Sequence, residues 1–351
     1  MLKLRTLCSA FALAAALGYP AIAGASEIKL KAVGQPVATG SIQKDVEQPF
    51  FEKLGELTGL PVSVDYKPVD TLGIKDTEEL RVLKAGLFDI VSLRVLRNSR
   101  DEPSLLGLDL VGASPDHATG RKIMEAYSGT LGDTLQKKFN AKLLGGWAFG
   151  PQMMFCRKPI DGLASLKGMK VRVIDQNLAI FVESLGGTPV PMSLPDTHQA
   201  LSLGVVDCAV SGANSANAAG WPEVTTHQLP IGVQMSAVIY AMNMKAWQRF
   251  TPEQQAKLQQ AFTTLSDDMW KHTEKLHHDA LACNAGEESC AYGKKYALTT
   301  VPVSDADIAL VRDALVKTSL PAWAEVCDRV NPGCTGEWKK IVGPVLGLEL
   351  K

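Results

Sequence analysis

From Glu253 to Ala282 the chain contains neither glycine nor proline. Leu258, Phe262, Leu265, Met269, Leu276 and Ala280 recur there at near-helical spacing, the pattern of a helix with one buried face. The segment opens with Thr251-Pro252-Glu253-Gln254, which combines a Thr cap, a Pro at the first helical position and a Gln at the third. At 1.5 Å rise per residue such a helix spans roughly 45 Å, longer than one ordinary domain is wide. The chain must therefore build a body broad enough to need it, and two lobes bridged by one helix meet that demand.

The remainder supplies two such lobes. Residues 28–33 alternate apolar and polar, as a strand does. After a loop over 34–40, Ser41 caps a helix bearing Ile42, Val46, Phe50, Leu54 and Leu57, kinked at Pro49 and ended by Gly59. Val62, Val64 and Tyr66 form a second strand. Asp76-x-x-Glu79 reads as a capping box ahead of Leu80 and Leu83, and 88–93 as the next strand. Ser114-Pro115-Asp116 opens a further helix, 131–139 is helical, and 141–147 is a strand. This βαβα rhythm argues for a largely parallel sheet covered by helices. It restarts after Gly150, with strands at 152–156, 170–173, 188–191, 205–210 and 236–242 and helices at 176–185 and 195–203. A further helix follows Ser304 and carries Ile308, Val311 and Leu315. The predicted class is α/β, with 26–149 and 237–277 in lobe I and 150–236 and 278–351 in lobe II.

The N-terminus sets the compartment. Lys3 and Arg5 precede an apolar run over 7–17, and Ala23-Gly24-Ala25 fits a cleavage pattern, so residues 1–25 are expected to be a signal peptide. The run is too short for a membrane span, which needs about 20 residues. Cys8 lacks the small residues of a lipoprotein site before it. Residues 1–25 hold one Lys, one Arg and no acid, so their removal takes the formal net charge of −1 two units further negative. No basic run or aromatic-interleaved basic patch points to nucleic acid. In an exported chain, Cys283 with Cys290 and Cys327 with Cys334, each spaced C-x6-C, are expected to be disulfides. Metal ligation would need shorter knuckles or paired His, so no metal or cofactor is expected. Cys156 and Cys208 either pair or remain buried thiols.

Catalytic signatures are missing. There is no phosphate-binding loop, no dinucleotide-binding glycine motif and no G-x-S-x-G. His272, His277 and His278 do not have the i, i+4 ligand spacing. Asp196, His198 and Ser211 are the right types for a triad but carry no supporting motif.

The informative stretch is 159–217. Pro159-Ile160-x-x-Leu163-x-x-Leu166-Lys167-Gly168-Met169-Lys170-Val171-Arg172-Val173 is followed by Leu185-Gly186-Gly187-Thr188-Pro189-Val190-Pro191-Met192. Then comes His198-Gln199-Ala200-Leu201-x-x-Gly204-Val205-Val206-Asp207. This series resembles the solute-binding subunits of TRAP transporters, the tripartite ATP-independent periplasmic family. The first half matches more loosely, through Thr71-Leu72-Gly73 and Leu83-x-x-Gly86-x-x-Asp89.

The resemblance implies a two-lobed periplasmic binding protein fold that closes on a ligand, no enzymatic activity, and partnership with TRAP membrane subunits. The expected ligand is a small organic acid and the expected state a monomer. The resemblance also implies that Arg172 pairs with the ligand's carboxylate, for which a planar guanidinium fork is suited. Gln152 stands where some relatives carry a second arginine, and a neutral amide there suits a hydroxyl or keto oxygen. Ser211 and Gly212 fall where relatives touch ligand, although Cys208 replaces the usual Gly nearby. Arg94 reads equally as a contact for a second acid group or as a surface charge. Trp147 and Phe149 read as a cleft wall or as core, and Gln35 and Thr39 lie in the loop after the first strand. A sensor feeding a membrane receptor, a secreted hydrolase using Asp196, His198 and Ser211, and a binding protein for an ATP-driven importer are the rival readings.

Overall fold

The computed structural model describes residues 27–349; the expected signal peptide lies outside them. The chain forms two sheets, each covered by helices. The first takes β1 (Ile28–Gly34), β2 (Val62–Pro68), β3 (Ile90–Arg94), β4 (Ala141–Ala148) and β10 (Ala237–Asn243) in the order β2-β1-β3-β10-β4. The second takes β5 (Gln152–Cys156), β6 (Lys170–Val173), β7 (Thr188–Pro191), β8 (Cys208–Gly212), β9 (His227–Leu229) and β11 (Thr299–Thr300) in the order β11-β9-β5-β8-β6-β7. Both sheets are mixed rather than largely parallel. β1 pairs in parallel with β2 and β3, but β10, arriving from the other lobe, lies antiparallel between β3 and β4. β10 is buried along its whole length, as a strand with neighbours on both edges and helices on both faces must be.

Local signals account for most helix ends. Asp116 accepts the Thr119 amide at 2.7 Å and starts one continuous helix, His117–Phe139, where two shorter ones were expected. Thr251 and Gln254 complete the capping box of helix Pro252–Ala285. This helix packs Leu258, Phe262, Leu265 and Leu276 into the core of the first lobe and Ala280 into that of the second. The box at Asp76-x-x-Glu79 does not form. Helix Glu79–Ala85 starts later without a side-chain cap, and Asp76 instead pairs with Arg97 at 3.0 Å.

The C-terminal end differs from expectation. Beyond Ala314 the chain leaves the second lobe, and helices Leu320–Val330 and Cys334–Val342 bury Leu320, Trp323, Trp338 and Val342 in the first core. The indoles fix the docking, with Trp323 Nε1 donating to Pro103 O at 2.8 Å and Trp338 Nε1 to Gly107 O at 2.7 Å. An amphipathic helix advertises a buried face without naming the surface that buries it. Cys283–Cys290 and Cys327–Cys334 are bonded as expected, and Cys156–Cys208 is a third disulfide, joining β5 to β8.

Candidate ligand cleft

Two strands cross side by side between the lobes. Phe149 and Gly150 leave the first sheet while residues 233–236 return to it, held by Phe149 N to Ser236 O (3.2 Å), Gly150 N to Met235 O (3.1 Å) and Gln152 N to Gln234 O (2.7 Å). The buried carboxylate of Asp109 accepts the amides of Met235, Ser236 and Ala237 at 2.9–3.0 Å and pins the crossing. Burial pushes its pKa up to about 7, against the pull of those amides.

On the second lobe, β6 carries Arg172 between the buried Val171 and Val173. Arg172 is 1% exposed. Nε donates to Met192 O at 3.1 Å, Nη1 donates to Val210 O at 2.8 Å, and the ring of Trp221 lies 5.4 Å away. Nη2 has no hydrogen bond to the described residues. Burial lowers the pKa to about 10, Arg97 lowers it further and Asp175 opposes, so the group stays charged at neutral pH. Asp175 caps helix Gln176–Ser184 through Oδ1, while its buried Oδ2 finds no partner among the described residues. Gln152 pairs with Gly212 and Met153 with Ser211 across β5 and β8, so Gln152, Ser211 and Gly212 share one sheet end. The Gln152 amide donates to Gly150 O at 3.2 Å.

On the first lobe, Arg94 ends β3. Its Nε donates to Gln35 Oε1 at 2.8 Å and its guanidinium lies 4.9 Å from the Phe149 ring centre. Burial pulls this arginine down, with Glu79 opposing. Glu79 is itself pushed up to about 8 by burial. Gln35 is buried and fully engaged, donating to Ser92 O and Oγ, and its backbone amide meets Glu47 Oε2 at 2.6 Å. Tyr66 OH also donates to Glu47, whose carboxyl burial pushes up.

Phe149, Ile42, Leu276 and His277 face Gly212–Ser215 across a narrow cavity between the lobes. A larger hollow on the first lobe, beside Phe139, is shallow, and its charges are met by its own lining: Arg81 by Asp101, Lys138 by Glu102 and Lys84 by the Phe139 ring. The narrow cavity between the lobes is therefore the candidate site.

Trp147 is 0% exposed and donates to Tyr240 OH at 3.1 Å, so it is core; its neighbour Phe149 is the aromatic that reaches the cavity. Thr39 bonds Pro36 O within its own loop. The triad types also take separate partners, Asp196 bonding Ser193 and His198 lying 3.7 Å from Glu223. Sequence reasoning missed Arg97, half-exposed and tied to Asp76, whose charge acts on both Arg172 and Asp175. Only its place three residues after Arg94, on the next helical turn, was there to be read.

Two α/β lobes, a pinned double crossing and a spanning helix define a two-lobed binding protein. The chain belongs to the bacterial extracellular solute-binding proteins of family 7 (DctP), whose model matches residues 33–288. The TRAP resemblance read from the 159–207 motif therefore holds, and membership assigns the chain to solute binding rather than catalysis. A solute-binding protein of Roseobacter denitrificans is 25% identical over 232 residues, 62% of this chain and 67% of the relative. The sialic acid-binding periplasmic protein SiaP of Vibrio cholerae is 26% identical over 178 residues, 50% of this chain and 55% of its own. The crystal structure of DctP7 of Bordetella pertussis, an extracytoplasmic solute receptor binding pyroglutamic acid, superposes with TM-score 0.72 at 17% identity, covering 90% of this chain and 99% of that one.

Proposed function

We propose that this chain, exported by cleavage of residues 1–25, works as a monomer in the periplasm. It captures a small organic acid and delivers it to the membrane subunits of a TRAP transporter. One observation carries the reading. Arg172 is buried with two of its nitrogens spent on backbone carbonyls, yet among the described residues no carboxylate bonds it and Nη2 has no hydrogen bond. A buried guanidinium without a counter-ion is costly, and a ligand carboxylate supplies one. Arg94, with Gln35 behind it and Phe149 beside it, offers a second positive charge from the opposite lobe. Gln152, Ser211 and Gly212 supply neutral polar contacts. The acids named for the relatives, sialic and pyroglutamic, carry carboxylates.

A thermal-shift panel of succinate, pyroglutamate, galacturonate, orotate, 3-hydroxybenzoate and sialic acid tests this, since a ligand bound only by the folded state raises its apparent stability. At least one acid should raise Tm in wild type and fail to do so in Arg172→Ala. A panel without any shift would sink the reading.

A further inference from the structure

Two histidines far apart in sequence meet where the lobes join. On helix Pro252–Ala285, Leu276 belongs to the first core and Ala280 to that of the second lobe, so His277 marks the boundary. His117 lies in the first turn of helix His117–Phe139. Its ring centre is 5.7 Å from that of His277 and 6.2 Å, edge-on, from that of Trp270. The crossing strand runs past both: a Cβ built on Gly150 would stand 3.2 Å from His117 Cε1 and Nε2 and 3.8 Å from the His277 Cβ. Gly150 holds φ +122°, a conformation open to glycine and strained for other residues. His117 Nε2 is buried and has no hydrogen-bond partner among the described residues.

The charged surroundings are few. Asp116 and Glu274 favour a proton on His117, and His278 opposes it. His277 is opposed by both His117 and His278, whose ring centre lies 5.6 Å away. The segment facing His277 across the cavity, Gly212–Ser215, carries no titratable side chain. His272, further back on the spanning helix, lies 3.4 Å from Ser41 Oγ with Asp45 and Lys275 near it. Burial dominates, holding His117 below the ordinary imidazole value and His277 down at about 3.

We propose that the His117–His277 pair makes lobe closure proton-sensitive: the closed arrangement holds both rings neutral, and a proton on either drives the crossing segments apart and releases the ligand. This rests on the acid-binding reading of the cleft. The sign follows from linkage. A ring that opening exposes to water regains a pKa near 6.5, while closure depresses it. Closure is therefore fully favoured above about pH 6.5 and loses up to about tenfold per pH unit below it, for one ring.

Calorimetry at about pH 8 and about pH 5.5, one unit below an ordinary imidazole, reads the effect with the panel acid that gives the largest thermal shift. Asp109 and Glu79 titrate near this range, so the informative quantity is the difference between proteins. Wild type should lose about tenfold more affinity between the two conditions than His117→Asn/His277→Gln, whose amides keep hydrogen bonding without titrating. Equal losses overturn the proposal. If the double variant melts early, His117→Asn alone carries the comparison. Absence of binding at the higher pH would sink the acid reading instead. An NMR titration of the imidazole C–H signals then still decides the pair: His277 uncharged at about pH 5.5 supports it, and a midpoint near 6.5 overturns it.

Discussion

Arg172, buried on the second lobe, and Arg94, half-buried on the first, are held by different means. Arg172 is fixed by main-chain carbonyls, Met192 O and Val210 O, from two neighbouring segments of its own lobe. Arg94 is held by a side chain, Gln35, which in turn leans on Ser92 and on the buried Glu47. Val210 O belongs to β8 and Met192 O directly follows β7, so the first fork is preorganised, and no carboxylate among the described residues bonds it. The second sits in a chain of side chains with the acids Glu79 and Asp76 opposing its loss of charge, so its need for an external anion is smaller. On the proposed function the two lobes divide the work: the second anchors the acid, and the first selects it.

The sharpest way to break that contrast is Arg172→Ala. Leaving a buried carboxylate without its partner costs about 3–5 kcal/mol, which is a loss of about 100-fold to several thousand-fold in Kd. Calorimetry should show it while the ligand-free melting curve stays in place. A loss within about threefold would refute the anchor, since it falls far below a broken buried pair. A collapsed ligand-free Tm would make Arg172 a structural residue.

Next in size are the disulfides, which also differ between lobes. Cys156–Cys208 closes 52 residues and ties β5 to β8 at the end of the ladder opposite Gln152 and Gly212, whereas Cys327–Cys334 closes only 7 in the C-terminal helices. Chain-entropy estimates give about 4 kcal/mol for the long loop and about 2 kcal/mol for the short one. Denaturant unfolding of Cys156→Ala/Cys208→Ala should therefore show the greater loss, and ligand affinity should fall with it. The reverse ranking would mean that the anchor does not depend on a stapled sheet.

The smallest expected effect is at Arg94. Arg94→Gln should weaken a diacid such as succinate by about tenfold, or about 1.4 kcal/mol, and leave a monoacid such as 3-hydroxybenzoate nearly unchanged. Equal effects on the two would assign Arg94 to packing on Phe149 instead of selection.

How much of this was legible beforehand varied with the range of the forces involved. The spanning helix was readable because Thr251 and Gln254 cap it within one turn and no Gly or Pro interrupts 253–282. Arg172 was readable because a motif marks its strand. Trp147 and Phe149 looked alike, because alternation along a strand says which side chains share a face but not whether that face meets a core or a cleft. Arg97 carried no motif, since its role arises from charges that reach it across the cleft from Arg172 and Asp175.

The sequence by itself determined the two α/β units, the long helix, the local Cys pairs and the motif strand that carries Arg172, all of which depend on neighbours within a few residues or on one contiguous motif. Tertiary structure alone decided that the last two helices return to the first lobe, that Cys156 meets Cys208, and that His117 comes to rest beside His277 at the crossing. Each of these is a contact between distant segments. Local chemistry requires only that an apolar face, a thiol or an imidazole find some partner, and the packing of the whole chain selects which one it finds.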